Sequence, residues 1–313
     1  MEADEDNDSA FGESLASSTT SLRSAVTKYE FEHGRRYHAY KAGQYAFPND
    51  ESELDRMDLE HHMFGLLIGQ LHLAPLQSPQ SILDLGSGTG LWAMDAAEKY
   101  PTAEVIGTDL SPTQPKWVPP NVRFEVDDFE ADWTFGPNKF DLIFGRLLLA
   151  SVSDYPRLYR QAFDALKPGG YLEIHEVDPE TYCDDGSYTE SHAAMKWGKL
   201  FKEAVAKMGR PLPDLTQYKS LMEEAGFIDV QERFYKRASN DWPKDPKMKE
   251  IGRYECINQM EGIEAFTLAL FTRVLGWSVE EAQVMIAQVR TEWPKRSLHG
   301  YQKVVALYGK KPA

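Results

Sequence analysis

SILDLGSGTGLWAMDAAEKYPTAEVIGTDLSP, residues Ser81 to Pro112, is the stretch that decides the fold. Ser81 to Leu85 is a short apolar run carrying Asp84 near its end; Gly86, Gly88 and Gly90 follow, and Leu91 to Tyr100 returns to helical spacing. This reads as strand, glycine turn and helix. A second apolar run, Glu104 to Gly107, ends at Asp109, so one βαβ unit brings Asp84 and Asp109 to the same edge of a parallel sheet. Glycines without a Cβ let the backbone pass against a ligand and point N–H groups at its anionic end.

A glycine turn followed by an acid also describes dinucleotide oxidoreductases, whose spacing is G-x-G-x-x-G. Here it is G-x-G-x-G, with Asp84 two residues ahead. A ligand without a pyrophosphate requires no long phosphate cradle, so S-adenosylmethionine fits better than a nicotinamide dinucleotide, which stays open along with a purely structural turn. On the cofactor reading, Gly86, Ser87, Gly88 and Gly90 cradle the ligand, Leu110 flanks it, and Asp109 accepts hydrogen bonds from two ribose hydroxyls. A serine hydrolase is not supported, because Ser87 lies in G-S-G-T-G and not in G-x-S-x-G.

Val122 to Val126 reads as a third strand; Asp127, Asp128 and Phe129 follow it, an acid and an aromatic suited to an adenine amino group and ring face. Phe140 to Phe144 is a fourth strand ending at Gly145 and Arg146, and LKPGGYLEIHE, Leu166 to Glu176, gives a helix end, a Pro-Gly-Gly turn and a fifth strand. This order resembles the class I S-adenosylmethionine-dependent methyltransferases. GRRYHAYKAGQYAFPNDESELDRMDLEHHMF, SPTQPKWVPPNVRFEVDDFE, the DDGS of Asp184 to Ser187 and WPKDPKMKEIGRY look like the fungal LaeA-like methyltransferases, over nearly all of Lys28 to Pro312. The resemblance implies an α/β, Rossmann-like seven-stranded sheet, a methyl donor and a fungal source. It also implies either a small-molecule methyltransferase or a regulator of secondary metabolism acting through protein partners.

The net charge of -15, with no dense Lys/Arg block, argues against a nucleic-acid partner. Cys183 and Cys256 are the only cysteines, so a reducing compartment is expected and no disulfide framework. No apolar run nears 18 residues, the length a membrane span needs, and no signal peptide is found. The expectation is an intracellular, cytoplasmic protein, with the nucleus left open.

Residues 1–27 are acidic, then Ser/Thr-rich, and read as a disordered leader. Residues 28–80 read as an N-terminal helical lid, in which Asn49-Asp50 offers an N-cap, Glu53 completes a capping box, and Leu54, Met57, His61, Phe64, Ile68 and Leu71 share a face. Tyr37 or Tyr45 either packs against that helix or covers the donor, and the resemblance favours cofactor contact for Tyr45. His61 and His62 point about 100 degrees apart on a helix and cannot chelate one metal, so no metal is expected. The cofactor-binding core spans 81–180, helices and a sixth strand span 181–241, a helical cap insertion over the acceptor spans 242–298, and 299–313 hold a closing strand and tail.

Methyl transfer from a donor that carries its own leaving group asks the protein for alignment and exclusion of water. A base is needed only where the acceptor loses a proton. Substrate belongs at the carboxyl ends of the fourth and fifth strands, which nominates Arg146, His175 and Glu176. His175 suits the base because imidazole accepts a proton near neutral pH; its alternative role is to orient its neighbours. Alternation puts His175 and Glu176 on opposite faces, so at most one faces the cleft. Arg146 serves either the cofactor or a substrate acid.

Overall fold

The computed structural model describes residues 29–38 and 47–313; Tyr45 lies outside the described residues. The apolar runs become β3 (Ser81–Leu85), β4 (Glu104–Asp109), β5 (Val122–Val126), β6 (Phe140–Arg146) and β7 (Leu166–Val177). With β8 (Ile228–Ala238) and β9 (Tyr301–Lys310) they form one sheet in the order β5-β4-β3-β6-β7-β9-β8. β3 to β7 pair in parallel, whereas β9 runs antiparallel to both β7 and β8. All five residues of β3 are buried, the pattern of a strand covered on both faces.

One face of the sheet is packed by α2 (Leu91–Lys99), whose Trp92 stacks on Phe144 with ring centroids 3.8 Å apart. Leu158 and Tyr159 of α3 (Tyr155–Ala165) and Tyr218 and Met222 of α5 (Gln217–Glu224) share a second core layer with Ile143 and Leu172 of the sheet. Burying each such side chain is worth about 1.5–3 kcal/mol. The cap is helical: α4 (Ala193–Lys207), α6 (Pro246–Leu270) with a π-helical turn at Phe271–Leu275, and α7 (Val279–Glu292). The Ser278 capping box forms in both directions, at 3.1 Å from Glu281 N to Ser278 Oγ and 2.8 Å from Ser278 N to Glu281 Oε2.

The N-terminal region departs from the sequence expectation. A hairpin, β1 (Glu30–Glu32) with β2 (Arg35–Tyr37), precedes α1 (Glu51–Ile68), and its turn uses positive φ at His33 and Gly34. Asp50 caps α1 by accepting from Glu53 N and also grips Arg35 at 2.6 and 2.8 Å, joining hairpin to helix. Glu53 does not complete a capping box: its carboxylate turns to Arg56 instead. Tyr37 is buried, with Arg273 over its ring, and so packs rather than covers a ligand. Leu71 falls beyond Gly69, whose left-handed backbone ends the helix.

The DDGS motif proves to be a clasp. Asp184 binds Lys236 and accepts from Tyr301 Oη at 2.8 Å, while Asp185 holds His299 Nδ1 at 2.5 Å. These bonds tie the chain leaving β7 to β8 and to the segment that enters β9.

Candidate active site

Gly86, Gly88 and Gly90 have φ of +63°, +55° and +83°, a region that costs other L-residues about 1–2 kcal/mol. At Gly88 a Cβ would meet Met57 Cε of α1, the movable end of a side chain, so the backbone conformation is what demands glycine there. Asp109 Oδ2 accepts Gly88 N at 2.8 Å and Oδ1 accepts Ser111 N at 2.9 Å. Thr113 Oγ1 and Gln114 Nε2 donate to the Gly88 carbonyl at 2.9 and 2.7 Å. The chain after β4 thus holds the glycine turn open, with Asp109 as its brace.

A cavity runs along the carboxyl edge of the sheet, with about 210 Å³ open to the centres of water molecules. Gly86, Ser87, Gly88, Asp109 and Leu110 line one end, joined by Asp128 and Phe129. Phe47, Trp197, Phe201 and Phe266 line another part, and Arg56, Glu60, Arg237, Asn258, Gln259 and Gln302 a third. Leu54, Met57 and His61, the predicted face of α1, also line it.

Donor chemistry at the glycine end suits a nucleoside with a charged amino-acid arm. Ser87 Oγ and Asp84 Oδ2 are buried without a hydrogen bond inside the protein, which leaves a donor–acceptor hydroxyl and a carboxyl oxygen for a ligand. Burial pushes the Asp84 carboxyl up to about 8; Arg146 opposes that rise and Asp109 adds to it. Burial also lifts Asp109 to about 6, against the pull of backbone N–H groups from Ser111, Gly88 and Leu110.

Arg146 stands at the cavity wall, with its guanidinium 5.2 Å over the Phe64 ring. It donates to His61 Nδ1 at 2.8 Å, and because arginine only donates, His61 accepts there and gives its Nε2–H to Asp95 at 3.0 Å. Burial lowers the Arg146 pKa from its ordinary value while Asp84 opposes the shift.

Four nominated residues lie elsewhere. Gly90, the N-cap of α2, does not line the cavity. Asp127 does not line the cavity, unlike Asp128 and Phe129; its side chain accepts from Asp128 N at 2.8 Å. His175 also misses the cavity. It is 1 % exposed, donates to Glu173 at 2.7 Å, and faces a second cavity that shares Arg146 and His61 with the first. Glu173 holds Leu73 N and Ala74 N at 2.7 Å each, so His175 completes an anchor for the segment after α1. Glu176 is fully buried beneath the chain that leaves β6 and accepts from Leu148 N at 2.9 Å. Neither residue lines the cleft: Glu176 is held under Leu148, and the His175 ring packs against Phe64 and Phe144 on the other face of the strand.

Sequence reasoning missed Arg56, Glu60, Arg237, Asn258, Gln259 and Gln302. The local sign was Glu53, Arg56 and Glu60, opposite charges at i, i+3 and i+4 spacing on α1. Among the described residues no group of three or more His, Cys, Asp or Glu is arranged to hold a metal ion, and no helix is long and apolar enough to cross a membrane.

A methyltransferase-domain profile matches residues 59–232. Methyltransferase pytC of Aspergillus terreus is 42% identical over 301 residues, covering 95% of this chain and 92% of its own. The secondary metabolism regulator LAE1 of Cochliobolus heterostrophus is 40% identical over 289 residues, 90% of this chain and 94% of its own. The solved phosphoethanolamine N-methyltransferase 2 of Haemonchus contortus, in complex with S-adenosyl-L-methionine, superposes with a TM-score of 0.46 at 22% identity, over 83% of this chain and 52% of that one. The chain belongs to the methyltransferase-domain family, among the LaeA-like S-adenosylmethionine-dependent methyltransferases.

Proposed function

We propose that the protein transfers the methyl group of S-adenosylmethionine to a small-molecule acceptor of secondary metabolism. The observation that carries this reading is one cavity with two differently built parts: a backbone-formed glycine end and an end walled by side chains of α1, α4, α6 and β8. When bound, the donor supplies an activated methyl group and its own leaving group.

The residues present assign themselves by position. Asp109 holds the ribose and keeps the glycine turn in place. Asp128 and Phe129 hold the adenine, and Asp84 with Ser87 meets the amino-acid arm. Arg146 with His61 closes the wall behind that arm, and Met57 of α1 covers the turn. Alignment and exclusion of water then provide the acceleration. Glu60, the acid at the acceptor end, already gives one oxygen to Arg56 and the other to Arg237, so it is poorly placed to take a proton.

Calorimetric titration with S-adenosylhomocysteine tests the donor site, and comparing metabolites of cells with and without the gene tests the transfer. A product heavier by one methylene unit is expected. No heat with either S-adenosylmethionine or S-adenosylhomocysteine would overturn the reading. The identity to a protein named as a regulator supports a second reading, in which the chain also acts through protein partners. Stoichiometric capture of regulatory proteins, without methyl transfer to any extract, would favour it.

A further inference from the structure

The acceptor part of the cavity is built on charges sealed from water. Arg56 holds Glu53 through two bonds, of 2.7 and 3.0 Å, and donates to Asn258 Oδ1 at 2.6 Å. Arg237 reaches Glu60, Glu255 at 3.2 Å and Gln302 Oε1 at 2.7 Å. Glu255 also accepts from Asn258 Nδ2 at 3.1 Å and Gln259 Nε2 at 3.0 Å. Buried ions persist when their partners satisfy them, and here the side-chain oxygens of the framework are taken, with one exception. Gln259 Oε1 is buried and accepts nothing.

Gln259 is 4 % exposed and lines the cavity. Its Nε2–H is given to Glu255 Oε1 at 3.0 Å, and in this orientation Oε1 has no donor. A lone acceptor beside a cavity calls for an O–H or N–H donor from the ligand. Next to the framework the wall is aromatic: the Arg56 guanidinium lies 4.8 Å over Phe266, and Phe266 meets Phe47 edge-on at 5.3 Å. Phe47 in turn stacks with Phe201 at 6.1 Å.

We propose that Gln259 determines acceptor specificity, taking the O–H or N–H of an aromatic acceptor whose ring packs against Phe47 and Phe266. This rests on the methyl-transfer reading and names its substrate class. The ring gives affinity through the aromatic wall, and Gln259 rejects ring systems that lack the donor, since a buried polar group left unpaired discriminates strongly.

The test uses the full chain saturated with S-adenosylhomocysteine and two probes, 2-naphthol and 2-methoxynaphthalene, titrated by fluorescence or calorimetry. Wild type should bind 2-naphthol at least about tenfold more tightly. Gln259→Met should bring the ratio near one with S-adenosylhomocysteine affinity unchanged, and Phe266→Leu should weaken both probes alike. Equal affinities in wild type, binding of neither probe, or a ratio that survives Gln259→Met would overturn the assignment. The wild-type ratio stands as a test even where a variant fails to fold. Failure to bind S-adenosylhomocysteine is read separately, and that result sinks the methyl-transfer reading instead.

Discussion

Asp109 braces the glycine turn, and substitution can separate that task from the ribose contact proposed for it. Asp109→Ala removes the acceptor of Gly88 N and of Ser111 N, which lie at 2.8 and 2.9 Å. Each backbone donor left unpaired costs about 1–3 kcal/mol when buried, so about 2–4 kcal/mol of unfolding free energy should go where the opened cavity admits some water. At roughly 2–4 °C per kcal/mol, the melting midpoint should drop by about 4–16 °C. Loss of a charged acceptor for the ribose removes about 1.5–3 kcal/mol more from binding alone, a weakening of about 10- to 150-fold. Asp109→Asn keeps one carbonyl oxygen for a loop N–H, so its stability loss should be near half that of Ala while its affinity loss is nearly as large. Scanning calorimetry of the free protein and titration with S-adenosylhomocysteine read the two effects independently. Wild-type affinity in Asp109→Asn would refute the ribose role. Losses of affinity and stability in strict proportion across both variants would reduce Asp109 to a brace.

Gly88→Ala forces a side chain onto a backbone at φ +55°, so it should destabilise and weaken cofactor binding, as read by thermal melts. Arg237→Ala leaves Glu255 without its cation and Glu60 with Arg56 alone, and should cost about 3–5 kcal/mol in urea unfolding; a cost within about 1 kcal/mol would mean that the framework is solvated. Burial lifts both Asp84 and Glu176 to about 8. The folded state therefore holds protons that the unfolded chain releases near about pH 4; this stabilisation is complete below that pH and is lost as pH rises through about 8. Denaturation at several pH values should show stability falling from about pH 4 to 8 and levelling off above, with a flatter profile in Glu176→Gln. His175→Ala should lower stability by loosening the Glu173 anchor without a selective fall in turnover; turnover reduced about 100-fold at unchanged melting midpoint would restore it as a base.

What could be read in advance depends on how far along the chain the deciding interaction reaches. The glycine turn, Asp109 and the Ser278 capping box are each settled within a few residues or one βαβ unit, and they stand where the sequence puts them. Strand alternation separates His175 from Glu176, yet it carries no information about Leu148, under which Glu176 is held, or about Phe64 and Phe144, against which the His175 ring packs. The acceptor wall is harder still. Arg56 meets Asn258 across 202 positions and Arg237 meets Glu60 across 177, and a charged stripe on a helix reads by itself as a solvated face. Two local irregularities mark the exception. One is the Glu53, Arg56, Glu60 spacing; the other is Gly262 inside α6, where glycine costs about 1 kcal/mol relative to alanine. A Cβ at Gly262 would lie 2.8 Å from Arg56 Cδ, so the glycine is the gap through which the arginine enters. In the proposed reading the donor end is made largely of backbone geometry, and the acceptor end of side chains gathered from α1, α4, α6, β8 and β9. Substitutions in α6 and β8 should therefore alter which acceptor is taken while leaving the donor site intact, and cofactor affinity measured across such variants is the control for every claim about specificity.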